Sequence, residues 1–166
     1  NFRKDVAGMY YNKAKTAQLQ ELSFQAIVLY QKAITIDSGN ALFHESLGEL
    51  YCHLGRTTPH REKWYNLAIQ EYQNAIALKA YDPVYYYYLG WTYDALYMEE
   101  EAVQAFETAI TYNPRVSFYY ESLGKYFLSI DQIEAAMRRF KKAVQLNPRR
   151  MPEILNVCDE YNLSYQ

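Results

Sequence analysis

The feature that most constrains this chain is a period of 34 residues. Leu89-Gly90-x-x-Tyr93 returns as Leu123-Gly124-x-x-Phe127, and Asn113-Pro114 returns as Asn147-Pro148, each after 34 residues. Ala68, Ala102 and Ala136 keep the same step, as do Ala75, Ala109 and Ala143. Several residue types sharing one period mark a repeat architecture, in which each unit buries its apolar face only by stacking on its neighbours.

Each unit holds two apolar clusters with helical spacing. Tyr86, Leu89, Gly90 and Tyr93 fall at i, i+3, i+4 and i+7, and Ala102, Phe106, Ala109 and Ile110 at i, i+4, i+7 and i+8. The unit is therefore expected to be a helical hairpin. Gly48, Gly90 and Gly124 sit inside the first helix, where glycine costs about 1 kcal/mol relative to alanine. The cost makes sense if the missing side chain lets the two helices approach, with the small residues Ala68, Ala102 and Ala136 serving the same end from the other side. Asp82-Pro83 is expected to cap and start a helix, and Asp131 with Glu134 is expected to form a capping box. Asn113-Pro114, Asn147-Pro148 and Ser38-Gly39 are expected to end helices.

Composition narrows the function classes. The chain has 166 residues, half of them apolar, enough for one sizeable core. Its 17 basic and 19 acidic residues leave a formal charge of -2, so no global field recruits nucleic acid. No apolar run approaches the roughly 18 residues a membrane span needs, and the first ten residues are too polar for a secretory leader. The first residue is Asn1 and not Met, so a piece of a longer chain is expected, and the compartment stays unknown. Cys52 and Cys158 share neither metal nor redox spacing and are expected to be buried thiols.

These motifs resemble the tetratricopeptide repeat, whose 34-residue pattern runs aromatic or Leu, Leu-Gly, Tyr, then Ala, Phe or Tyr, Ala, and Pro. Units 83–116 and 117–150 match without a gap. Unit 41–82 carries Leu47-Gly48-x-x-Tyr51 and Ala68, Tyr72, Ala75, but with eight extra residues between its halves. Unit 7–40 is recognisable mainly by Ala26, Tyr30, Ala33 and Ile34. Segment 151–166 restarts a first helix with Ile154, Val157, Cys158 and Tyr161 and is expected to cap the array, turning Glu153, Asp159 and Glu160 outward. The resemblance implies an all-α, right-handed solenoid of about four hairpins plus a C-terminal helix, in one domain over 1–166.

The resemblance also implies a concave face lined by the first helix of each hairpin, at unit positions two, five, nine and twelve. Those positions hold Tyr11, Lys15 and Gln18; Leu42, Glu45, Glu49 and Cys52; Val84, Tyr87, Trp91 and Asp94; and Phe118, Glu121, Lys125 and Leu128. Tyr87 and Trp91 stand out. The packing stripe already uses Tyr86, Leu89 and Tyr93, so these rings either anchor a partner or pack against neighbouring first helices. The Lys and Asn set with which one subset of the family clamps a terminal carboxylate is missing. Glu45, Glu49, Asp94 and Glu121 instead disfavour an acidic tail and favour a ligand with apolar and basic character.

The insertion Arg56–Lys63 is a second candidate surface. Thr58-Pro59 is expected to start a helix, so the extra residues should lengthen the second helix by about two turns into a basic spur. Charge is uneven further on. Residues 83–134 carry eight acids and two bases, whereas 135–166 carry six bases and three acids, with Arg138, Arg139, Lys141 and Lys142 on a solvated convex face. No phosphate-binding glycine loop, paired-His motif or nucleophile constellation is present. His44, His53, His60 and Cys52 lack ligand spacing, so neither cofactor, metal nor catalysis is implied. The expected role is a protein-interaction scaffold that binds a protein or peptide. The alternative is a structural arm of a larger, membrane-anchored or multi-domain assembly, such as an envelope glycan polymerase, with self-association or docking through the convex face.

Overall fold

A computed structural model describes residues 1–165. Those residues form nine α-helices and one 3-10 turn and contain no strand. Four hairpins follow one another: α1 (Phe2–Leu19) with α2 (Ser23–Ile36), α3 (Ala41–Thr57) with α4 (Arg61–Leu78), α5 (Pro83–Ala95) with α6 (Glu99–Tyr112), and α7 (Ser117–Ser129) with α8 (Ile133–Leu146). A 3-10 turn, Pro148–Arg150, leads into α9 (Met151–Glu160). Second helices also touch the next first helix, α2 to α3, α4 to α5 and α6 to α7, which is the stacking of an α-solenoid.

The close approach within a hairpin is made by glycine against an aromatic ring. A Cβ on Gly90 would lie 2.7 Å from the Phe106 ring, and one on Gly124 would lie 2.5 Å from Phe140. The alanines Ala68, Ala102 and Ala136 are fully buried on the second helices, and Leu89 and Leu123 fill the flanks. One core runs through the last two hairpins and takes in Ile154 and Cys158 of α9. Glu153, Asp159 and Glu160 of α9 stay exposed, as the cap requires, but Tyr161 is also half out at 47%.

Helix ends depart from expectation in one respect. Asp82 caps α5 through Oδ1, which accepts from the Val84 N–H at 3.2 Å, and Asn113 and Asn147 close α6 and α8. Asp131, however, forms no capping box. It has φ 60° and terminates α7, while α8 starts after Gln132 with no side-chain cap. Glu21 (φ 61°) and Tyr97 (φ 59°) do the same after α1 and α5. In all three turns an amide five residues on returns to the helix, Leu22 to Ala17, Met98 to Tyr93 and Gln132 to Phe127, at 2.8–3.0 Å. This is the left-handed C-terminal cap that usually uses glycine, here made by other residues at a cost of about 1 kcal/mol each.

The insertion is also placed differently. It does not lengthen the second helix alone: α3 has 17 residues against 13 in α5 and α7, and α4 has 18 against 14 in α6 and α8. The eight residues are split evenly, one extra turn on each helix. Pro59 explains the division. It forces Thr58 into an extended conformation (φ -124°, ψ 158°), so α3 runs on to Thr57 and α4 begins only at Arg61. The glycine device recurs across the extension, where a Cβ on Gly55 would meet Tyr65 at 2.9 Å.

Candidate functional site

The lengthened hairpin makes one wall of a broad recess. An open cleft of about 950 Å³ lies between α3 and α5, with Gln18 of α1 at one edge and the first residues of α4 at the other. Glu49, Cys52 and Arg56 line it from α3, and Tyr87, Tyr88, Trp91 and Asp94 from α5. Helical periodicity puts Glu45, Glu49, Cys52 and Arg56 on one stripe of α3, at i, i+4, i+7 and i+11. Tyr72 forms part of the floor and stacks on Tyr88 with ring centroids 5.4 Å apart.

Trp91 and Tyr87 are both half-buried. Trp91 meets Phe106 edge-on at 5.1 Å, and Tyr87 packs against Phe118 at 5.2 Å and Tyr119 at 5.7 Å. Each ring is thus held by its neighbours on one side and faces the cleft on the other. Rigid, half-exposed aromatics of this kind lose little entropy on binding.

Polar groups are fixed with the same economy. Gln18 accepts a hydrogen bond from the Tyr30 hydroxyl at 2.8 Å, and burial pushes that phenol up to about 12. Cys52 lies 3.4 Å from the Thr92 hydroxyl, and burial raises its thiol above the ordinary range. Burial likewise raises the Asp94 carboxyl, with Arg61 opposing the shift. The Arg61 guanidinium donates to the Ala95 carbonyl from Nε at 3.1 Å and Nη2 at 2.7 Å, at the end of α5 where carbonyls lack helical partners. It also lies over the Tyr65 and Tyr97 rings, 5.6 Å from each centroid. Arg61 thereby ties the extension to the next hairpin.

Of the residues expected to face a groove, Glu49, Tyr87, Trp91 and Asp94 meet in this cleft with Gln18 and Cys52. Others lie apart from it. Tyr11 stacks on Phe43 at 5.1 Å and hydrogen-bonds Ser46 at 3.2 Å, and Lys15 is exposed over the Tyr11 ring. Glu45 sits one turn below Glu49; burial raises its carboxyl, Glu49 and Asp82 add to the shift, and Lys79 opposes it. Val84 is half-buried, and Leu42 and Phe118 are exposed at 44% and 42%.

The inner wall of the fourth hairpin is closed. Leu128 is buried, and Glu121 is only 1% exposed. Glu121 accepts from Lys125 Nζ at 2.6 Å and from Arg150 Nε at 2.6 Å, and Arg150 also pairs with Glu153 at 2.9 Å and covers the Phe118 ring. A residue beyond the last hairpin thus occupies the place where a ligand's cation would meet Glu121. Elsewhere, His44 is buried against Glu71 at 2.7 Å, His53 and His60 are exposed, and Arg139 on the outer face pairs with Glu107. Among the described residues no group of three or more His, Cys, Asp or Glu is disposed to hold a metal ion, and no helix is long and apolar enough to cross a membrane.

Residues 84–116, the third hairpin, match the family model of the tetratricopeptide repeat. The chain has the all-α solenoid fold of tetratricopeptide-repeat proteins. Its backbone is similar to the solved structure of MamA, with TM-score 0.73, 25% identity, and coverage of 88% of this chain and 81% of that one. It is also similar to TTC0263, a thermophilic tetratricopeptide-repeat protein from Thermus thermophilus (TM-score 0.78, 17% identity, 93% of this chain and 80% of that one). Pseudomonas aeruginosa PilF superposes with TM-score 0.72 at 23% identity, over 98% of this chain and 72% of that one. At these identities the last two likenesses show the fold alone. No curated protein matches the sequence. The tetratricopeptide-repeat fold is that of a protein-interaction scaffold.

Proposed function

We propose that this tetratricopeptide-repeat solenoid binds a segment of another protein in the cleft between α3 and α5, with Trp91 and Tyr87 as anchors and Glu49 and Asp94 as polar contacts. The observation that carries the reading is the pair of half-buried rings facing an open recess of about 950 Å³, braced from behind by Phe106, Phe118 and Tyr119. Such a recess suits one apolar or aromatic side chain with its flanking backbone. Lys15, Glu45, Tyr11, Glu121 and Lys125, first expected in the same groove, are left outside this proposal except where Glu45 extends the acidic end of α3.

The test is peptide capture. A random peptide library displayed on phage is panned against the wild type, and dye-labelled synthetic versions of the selected peptides are titrated while fluorescence anisotropy is followed. Trp91→Ala should weaken those peptides by about tenfold or more, as loss of a central aromatic anchor does. Equal binding by wild type and Trp91→Ala would move the working surface away from this cleft.

A further inference from the structure

The inner stripe of α3 changes sign along its length. Glu45 and Glu49 come first, Cys52 stands in the middle, and Arg56 follows on the turn that the insertion added. Glu49 and Arg56 both line the cleft, both are exposed, and among the described residues neither has an ion-pair partner. The charges acting on Glu45, one turn away, are Glu49, Asp82 and Lys79, so that end is acidic. At the tip Arg56 and Arg61 face the single carboxylate of Asp94, and Arg61 is already committed to the Ala95 carbonyl. That end is basic. Between them, Cys52 lies against Thr92 of α5, and Trp91 lines the same cleft from that helix.

We infer that the cleft selects an extended segment carrying a basic side chain and, about three residues away, an acidic one, with an apolar or aromatic residue between them. The inference rests on the cleft reading above and adds its charge code. Glu49 and Arg56 stand seven helical steps apart on α3, a rise of about 10 Å, which three residues of extended chain in the polyproline II conformation nearly span at about 3.1 Å each while returning residues i and i+3 to the same face. The basic side chain pairs with Glu49, the acidic one with Arg56, and the residue between them packs on Trp91. Complementary charge at two ends of one recess fixes the register of the segment and rejects the reversed pattern. Without the insertion α3 would end before Arg56, and the cleft would keep only its acidic end.

Peptide selection reads the code directly. The same phage library is panned against the wild type, Glu49→Lys, Arg56→Glu, the double variant Glu49→Lys/Arg56→Glu, and Trp91→Ala. The two charged positions are exposed, and circular dichroism checks that each variant keeps its helices. The wild type should enrich Lys or Arg three residues from Asp or Glu. Each single reversal should switch the preference at one of those positions only, and weaken a wild-type-selected peptide by about tenfold. The double variant should bind the charge-reversed version of that peptide. Peptides that need Trp91 but keep one charge pattern across all the charge variants would overturn the inference and leave the cleft reading intact. Selected peptides indifferent to Trp91→Ala would overturn both.

Discussion

Gly124 and Gly8 both lie inside helices, and the same substitution should move stability in opposite directions at the two positions. Neither has a positive φ, so the backbone accepts alanine at both. Nothing lies within 4 Å of a Cβ placed on Gly8, so Gly8→Ala should gain the helix-preference difference of about 1 kcal/mol. A Cβ on Gly124 would stand 2.5 Å from Phe140 Cε1 and 2.7 Å from Cδ1. Ordinary carbon contacts lie at roughly 3.5–4 Å, so one helix would have to move by about 1 Å. The Phe140 ring is fully buried and has nowhere to turn. Overpacking costs about 1–3 kcal/mol, and at the upper end it outweighs the helix gain, leaving Gly124→Ala about 2 kcal/mol less stable than wild type. The two variants should therefore differ by about 3 kcal/mol, or about 1.5 M in urea midpoint for an m-value near 2 kcal/mol/M. Urea titrations followed by circular dichroism measure this, and adding Phe140→Leu should relieve part of the Gly124→Ala loss in a double-mutant cycle. Midpoints that rise equally for both glycines would refute the claim that hairpin packing is set by a ring seated on a bare backbone.

Two further perturbations test buried carboxylates. Arg150→Ala leaves the buried Glu121 carboxylate with Lys125 alone and should cost about 3 kcal/mol in thermal or urea unfolding, much of it recovered in Arg150→Ala/Glu121→Leu. Asp94, whose carboxyl is raised by burial in the native state, folds better protonated, so its contribution is fully present below the unfolded value and is lost as pH rises through the folded one. Asp94→Asn should accordingly be more stable than wild type near neutral pH, with the advantage shrinking as pH falls through the raised native value toward the ordinary aspartate range near 3.8; denaturation midpoints across that range check the sign.

Much of the fold was legible because the solenoid reuses one contact. The residues that make it, glycine or alanine on one helix and an aromatic ring on the other, recur at a fixed step and so stand out in a single sequence. Glu121 shows what a period hides. Its position in the unit predicts a groove residue, but its partner Arg150 lies 29 residues away and past the last hairpin, where no motif points to it. The left-handed turn residues were hidden for another reason. Glu21, Tyr97 and Asp131 replace the glycine that would have signalled them, and the geometry is set by the amide returning to the preceding helix.

The insertion matters most for the site, and its placement turns on a single residue. Eight extra residues could be looped out, added to one helix or shared between two, and helical periodicity alone does not choose. Pro59 decides, because a proline can neither donate an N–H nor let the residue before it stay helical. Sharing adds one turn to each helix, so the hairpin rises as a unit and stays packed, with Gly55 against Tyr65 repeating the contact made lower down by Gly48 against Tyr72. The tip then needs an attachment that shorter hairpins do not require, and Arg61 supplies it on the Ala95 carbonyl. Once the tip is held there, Arg56 is fixed at the rim beyond Trp91, on the stripe that carries Glu49. The groove and the insertion, separate candidates in the sequence, are two walls of one recess.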